Sequence, residues 1–137
     1  MSVVLDGSVT LSWCFLDEHT EASLAVASRV ADEGAVVPAL WWCEVANGLQ
    51  MAVRRRRIDE AYRDLSLADL TRMEIQTDPQ SEGFVLSASV RLAERHGLTV
   101  YDAAYLELAQ RRRLELATLD TQLIAAARAE LVPVIGT

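Results

Sequence analysis

Short β-branched runs alternate along this 137-residue chain with longer segments whose apolar residues recur at helical spacing. Val3 to Leu5 read as a buried strand, and Ser8 to Phe15 as a short helix after it. Residues 20–33 carry Ala22, Ala25, Val26, Val30 and Ala31 on one side. That is a helix opened by Thr20 or Glu21 and closed by Gly34. Ala35 to Val37 form a second strand, stopped by Pro38. Residues 39–56 give a third helix with a broad apolar surface of Leu40, Trp41, Trp42, Val45, Leu49 and Val53. Asp59 caps a fourth helix over 59–72, and 73–77 alternate as an edge strand. Residues 81–96 read as a helix ended by Gly97. A strand-like segment at 98–100 leads into a helix from Asp102, with Tyr105, Leu106 and Ala109 inward. A strand over 114–119, a helix over 121–130 and a last strand over 131–135 complete the chain. Pro133 puts that last strand at an edge.

Strands alternating with helices predict an α/β fold of three layers, a mostly parallel sheet covered by helices on both faces. The length suits a single domain, 1–137. No segment reaches the ~18 uninterrupted apolar residues of a membrane helix. The start, Met1-Ser2-Val3, has no basic region of a secretory signal. A cytoplasmic protein, with no membrane association, is expected.

The arrangement has a chemical consequence. In parallel sheets, ligands bind beyond the carboxyl ends of the strands. Asp6, Asp102 and Asp120 each follow a predicted strand, and Glu44 lies inside the apolar stretch of the Trp41-Trp42 helix. Each Asp taken singly reads equally well as a helix N-cap. Glu44 is different, because an unpaired carboxylate on an apolar face is costly. Asn47, three residues on, shares its face. Four acids at one sheet edge would repel one another and hold their protons more tightly unless a cation offset the charge. Hard divalent ions such as Mg²⁺ or Mn²⁺ suit an oxygen-only site, and phosphoryl transfer is the usual chemistry there.

Charge qualifies that reading. The net charge is −7, a poor starting point for holding nucleic acid. Yet all 13 basic residues are Arg, and many cluster at 54–57 and 111–113. Either cluster reads as a solvated helix end or as a contact for a phosphate backbone. Cys14 and Cys43 each neighbour a Trp and are expected to be buried free thiols; no spacing suggests a metal site on them. Trp13, Trp41 and Trp42 read as core or interface residues, His19 and His96 as incidental.

The motifs Val3-Val4-Leu5-Asp6-Gly7-Ser8-Val9, Glu44 in a Trp-rich helix, residues 98–109 around Asp102, and Leu116-Ala117-Thr118-Leu119-Asp120 resemble PIN-domain ribonucleases. The similarity is greatest to the VapC-like toxins of type II toxin–antitoxin systems. It covers essentially the whole chain, and the Asp102 motif is its most specific part. The resemblance implies that Asp6, Glu44, Asp102 and Asp120 are catalytic residues holding Mg²⁺ or Mn²⁺. It also implies that Ser8 and Thr118 donate hydrogen bonds to carboxylates or to water on the metal. Helical spacing suggests that Asn47 does the same for Glu44. The first motif has Gly7 where Ala is commoner. A homodimer, an RNA substrate and a cognate antitoxin are the implied partners, and metal-dependent endoribonuclease the implied activity.

Rival readings fit less well. A phosphate-receiver domain or a haloacid-dehalogenase-like phosphatase needs a Lys, and the chain has none. The first also wants an acidic pair at the first strand, the second an Asp at position 8, which is Ser. A catalytically inactive PIN-fold binding module and a housekeeping RNA-processing nuclease remain as alternatives.

Overall fold

The computed structural model describes every residue from Met1 to Thr137. Five strands, β1 (Val3–Leu5), β2 (Ala35–Val37), β3 (Ile75–Thr77), β4 (Leu116–Ala117) and β5 (Val134–Ile135), form one sheet in the order β3-β2-β1-β4-β5. All four pairings are parallel. Every residue of β1, β2 and β4 is buried. Successive side chains of a strand point to opposite faces, so helices must cover both. The edge strands β3 and β5 are only partly covered.

Seven α-helices connect and flank the strands. They are α1 (Gly7–Cys14), α2 (Glu21–Glu33), α3 (Leu40–Arg54), α4 (Glu60–Thr71), α5 (Val90–His96), α6 (Val100–Arg112) and α7 (Thr121–Ala129). Their starts follow local chemistry. Thr20 and Ser23 form a reciprocal capping box on α2, and the side chains of Asp59, Thr99 and Asp120 accept first-turn N–H groups of α4, α6 and α7. Gly97 ends α5 at φ +64°, a conformation costly for any residue with a Cβ. A single core of 31 buried residues runs through the molecule.

Some sequence expectations are corrected. Residues 98–100 form no strand; Thr99 caps α6, so Asp102 sits in a helical first turn rather than at a strand end. Residues 103–109 are all buried, so α6 is enclosed on every side instead of one. The stretch 81–96 is not one α-helix: a 3₁₀ turn (Ser81–Phe84) and a π turn (Val85–Ser89) precede α5. Gly83 and three Ser residues weaken the α-helical preference there. Ala25 and Ala31 face solvent, and Cys43 is exposed on the side of α3 away from the core, while Cys14 is buried.

The arginines are partly consumed by the fold. Arg111 bridges two buried carboxylates, Asp78 at 2.7 Å and Glu107 at 2.7 Å, and lies over the Phe84 ring. Burial would raise the Asp78 pKa, but Arg111 and the Ser81 hydroxyl hold it below its ordinary value. Arg57 pairs with Asp17 and Glu18 and lies 4.0 Å over Phe15. Arg54, Arg55 and Arg56 are exposed and outside every ion pair.

Arg111→Leu strands the buried Glu107 and leaves Asp78 only Arg112 at 3.5 Å and Ser81, and should cost about 3–5 kcal/mol in denaturant unfolding at neutral pH. Because Asp78 is depressed in the native state, its pairing stabilises above the ordinary carboxyl range and is lost as pH falls. The deficit of the variant should therefore shrink on acidification.

Candidate metal centre

The chain winds from β1 outward through β2 to β3, then returns to place β4 on the other side of β1. That reversal opens a crevice at the carboxyl ends of β1 and β4, the place where such sheets bind ligands. Asp6 directly follows β1 and is 5 % exposed. Its backbone N–H donates to the Ala117 carbonyl at 3.0 Å, which locks β1 to β4 beside the crevice.

Two hydroxyls converge on one carboxylate oxygen. Ser8 Oγ and Thr118 Oγ1 each donate to Asp6 Oδ2 at 2.7 Å. Ser8 in turn accepts the Leu119 N–H at 3.0 Å, and Thr118 the Asp120 N–H at 3.1 Å. Each hydroxyl thus relays a backbone amide of the β4–α7 loop to Asp6, an arrangement that polarises the donor. Oδ1 receives no side-chain donor. Burial still dominates and raises the Asp6 pKa above its ordinary value, against the two hydroxyls and with help from the Asp120 charge.

The other acids come from three separate elements. Glu44 lies in the second turn of α3, half-buried beside Gly7. A methyl group at position 7 would meet Glu44 Cβ at 3.8 Å, ordinary contact, so Gly and Ala fit there equally. Asp102 is in the first turn of α6, whose N–H at 102 is taken by Thr99 Oγ1 at 3.1 Å. Asp120 caps α7 through Leu123 N–H at 2.9 Å. Burial, then the Asp6 and Asp120 charges, raise the Asp102 pKa; burial, then Asp6 and Asp102, raise that of Glu44 despite a hydrogen bond from Tyr105. The four acids therefore feel one another across the crevice. None is ion-paired, while eleven ion pairs to Arg or the N-terminus form elsewhere.

Two placements differ from the sequence reading. Asn47 is exposed and makes no side-chain hydrogen bond, so it does not serve Glu44. The donor is Tyr105, wholly buried on α6. Its position one turn after Asp102 was the available signal, masked by its fit to an apolar stripe.

As placed, no three His, Cys, Asp or Glu side chains gather into a closed ligand cage. Asp120 and Glu44 hold partners of their own, the Leu123 N–H and the Tyr105 hydroxyl. A small hard cation needs no closed cage, because Mg²⁺ binds through one or two carboxylates and keeps its waters. Oxygen-only donors, raised proton affinity and the absence of any pairing Arg fit such an ion. An open cleft of about 490 Å³ leads from Ser8, Leu119 and Asp120 past Met51 to Arg55 and Arg57. A neighbouring cleft around Cys14, Asp17 and Tyr62 reaches none of the four acids.

Raised carboxyl pKa values stabilise the fold at low pH, an effect lost as pH rises through them. Asp102→Asn relieves that repulsion. In the metal-free protein it should raise the melting midpoint at neutral pH by the few degrees that about 1 kcal/mol is worth. The gain should vanish on mild acidification, as differential scanning calorimetry would show.

The PIN domain family model matches residues 3–129. Ribonuclease VapC3 of Pyrobaculum aerophilum is 32% identical over 123 residues, 90% of this chain and 92% of that protein. Among solved structures, PAE2754 from Pyrobaculum aerophilum superposes with a TM-score of 0.67 at 24% identity, covering 92% of this chain and 84% of its own. A toxin–antitoxin complex from Klebsiella pneumoniae gives 0.60 at 21% identity, covering 90% and 91%. Acids at the crevice of a parallel sheet, a family match through nearly the whole chain and a relative at this identity agree: the chain belongs to the PIN-domain family.

Proposed function

We propose that this chain is a metal-dependent endoribonuclease and the toxin of a toxin–antitoxin pair. The observation that carries the reading is the convergence of Asp6, Glu44, Asp102 and Asp120, unpaired, on one crevice of a PIN fold. Support also comes from the relative named a ribonuclease and from the Klebsiella pneumoniae complex of the same fold.

Asp6, Glu44, Asp102 and Asp120 would hold Mg²⁺ or Mn²⁺. The chemistry supplied by such an ion is charge neutralisation at the phosphate and a lowered pKa for an attacking water. The chain's own part is orientation. Ser8 and Thr118 pin Asp6 Oδ2, so this carboxylate is pre-set before substrate arrives. Thr99 fixes the turn that presents Asp102, and the α7 cap fixes Asp120. The cleft runs from Asp120 and Ser8 to Arg55, which is free at its far end to meet a phosphate of an RNA strand. Hydrolysis would leave a 5′-phosphate and a free 3′-hydroxyl. A cognate antitoxin would be the natural regulator, blocking the same cleft, and a cytoplasmic homodimer the working form.

Asp6→Asn and Asp102→Asn should each reduce cleavage of RNA by more than about 100-fold, the upper end of the cost of losing even a supporting residue at a metal site. Folding, followed by circular dichroism, should be retained. Expression in a bacterial host should arrest growth and fragment RNA with the wild-type chain only. Undiminished cleavage by both variants would refute the assignment.

A further inference from the structure

We infer that Tyr105 is a positioning residue for the site: its phenolic hydroxyl holds the Glu44 carboxylate at the crevice in the orientation a metal ligand requires. The inference rests on the metal-centre reading above and adds to it a residue outside the acidic quartet.

Three observations lead there. Each of the other acids is held by its own neighbourhood: Asp6 by Ser8 and Thr118, Asp102 by the Thr99-capped turn, Asp120 by the first turn of α7. Glu44 has no such help. It sits inside α3, where its own helix supplies no free N–H, and Asn47 makes no bond to it. The Tyr105 hydroxyl is the one donor that Glu44 has.

Second, the bond joins different elements. Tyr105 lies one turn after Asp102, so α6 presents a carboxylate and a hydroxyl to the same crevice. The hydroxyl reaches Glu44 on α3, 61 residues away in sequence. It donates to Oε1 and leaves Oε2 without a donor. This is how a ligating carboxylate is ordinarily supported, one oxygen held and the other available.

Third, the tyrosine is costly as mere filler. The ring is 0 % exposed, and a buried phenol must find a partner that a phenylalanine would not need. Burial first, and the hydrogen bond to Glu44 next, push the hydroxyl above its ordinary pKa.

The test is calorimetric titration of Mn²⁺ into wild type, Tyr105→Phe, Glu44→Gln and the double variant, with a thermal melt of each. Tyr105→Phe keeps the buried ring and should weaken Mn²⁺ binding by about 10- to 100-fold. At saturating Mn²⁺ its KM for RNA should be unchanged. In the Glu44→Gln background the same change should cost nothing further, because Tyr105 acts through Glu44. Glu44→Asp, which keeps the charge but draws it back from the hydroxyl, should lose a comparable factor without altering Tyr105 at all. Unchanged Mn²⁺ affinity in Tyr105→Phe and Glu44→Asp, or an equal loss in both backgrounds, would overturn the inference alone. A wild-type chain that binds no Mn²⁺ would overturn the metal-centre reading, and this inference with it.

Discussion

The burial of Asp6 between β1 and β4 is the constraint on which the rest of this structure depends. A carboxylate removed from water must recover its hydrogen bonds from the protein, and here two hydroxyls supply them. Those hydroxyls are themselves oriented by amides of the β4–α7 loop. One buried charge thus sets the conformation of that loop, and with it the direction in which Asp120 leaves the sheet. The sheet cannot slip by one residue at this place without exposing Asp6 Oδ2 or burying it unpaired.

The distribution of charge follows from that constraint. Away from the crevice, the buried acids and several exposed ones are neutralised: Arg111 satisfies Asp78 and Glu107, Arg57 satisfies Asp17 and Glu18, and Glu130 is held to a pKa of about 2 by His96 and Arg95. At the crevice no arginine intrudes, and burial with mutual repulsion raises three of the four carboxyls. The fold thus stores destabilisation at one edge and compensates with a well-packed core around α6. Such local cost is typical of sites built for a ligand rather than for stability.

Much of the fold was legible because its signals are local. β-branched runs of three residues, capping residues such as Thr20 and Asp59, and alternation of strand and helix point to a parallel α/β sheet. Asp6 and Asp120 were readable as strand-end acids because both follow apolar runs directly. Thr118 and Ser8 were readable only through the family resemblance, since a hydroxyl two residues from an acid is common in loops. The strand expected at 98–100 failed because Thr99 makes a better helix cap than a sheet residue. The helix expected at 81–96 broke into three kinds of turn because periodicity measures which face is apolar, not how tightly the backbone is wound.

The sequence by itself determined most of the order of elements, the acids and the inward sides of helices such as α3, all consequences of spacing within one element. Tertiary structure alone decided partnerships. Glu44 takes Tyr105 of α6 rather than Asn47 of its own helix, and Arg111 turns inward while Arg55 stays free. Helical periodicity says which face a residue occupies. Which residue of another helix meets it depends on how the two pack across the sheet, and that is a property of the whole core.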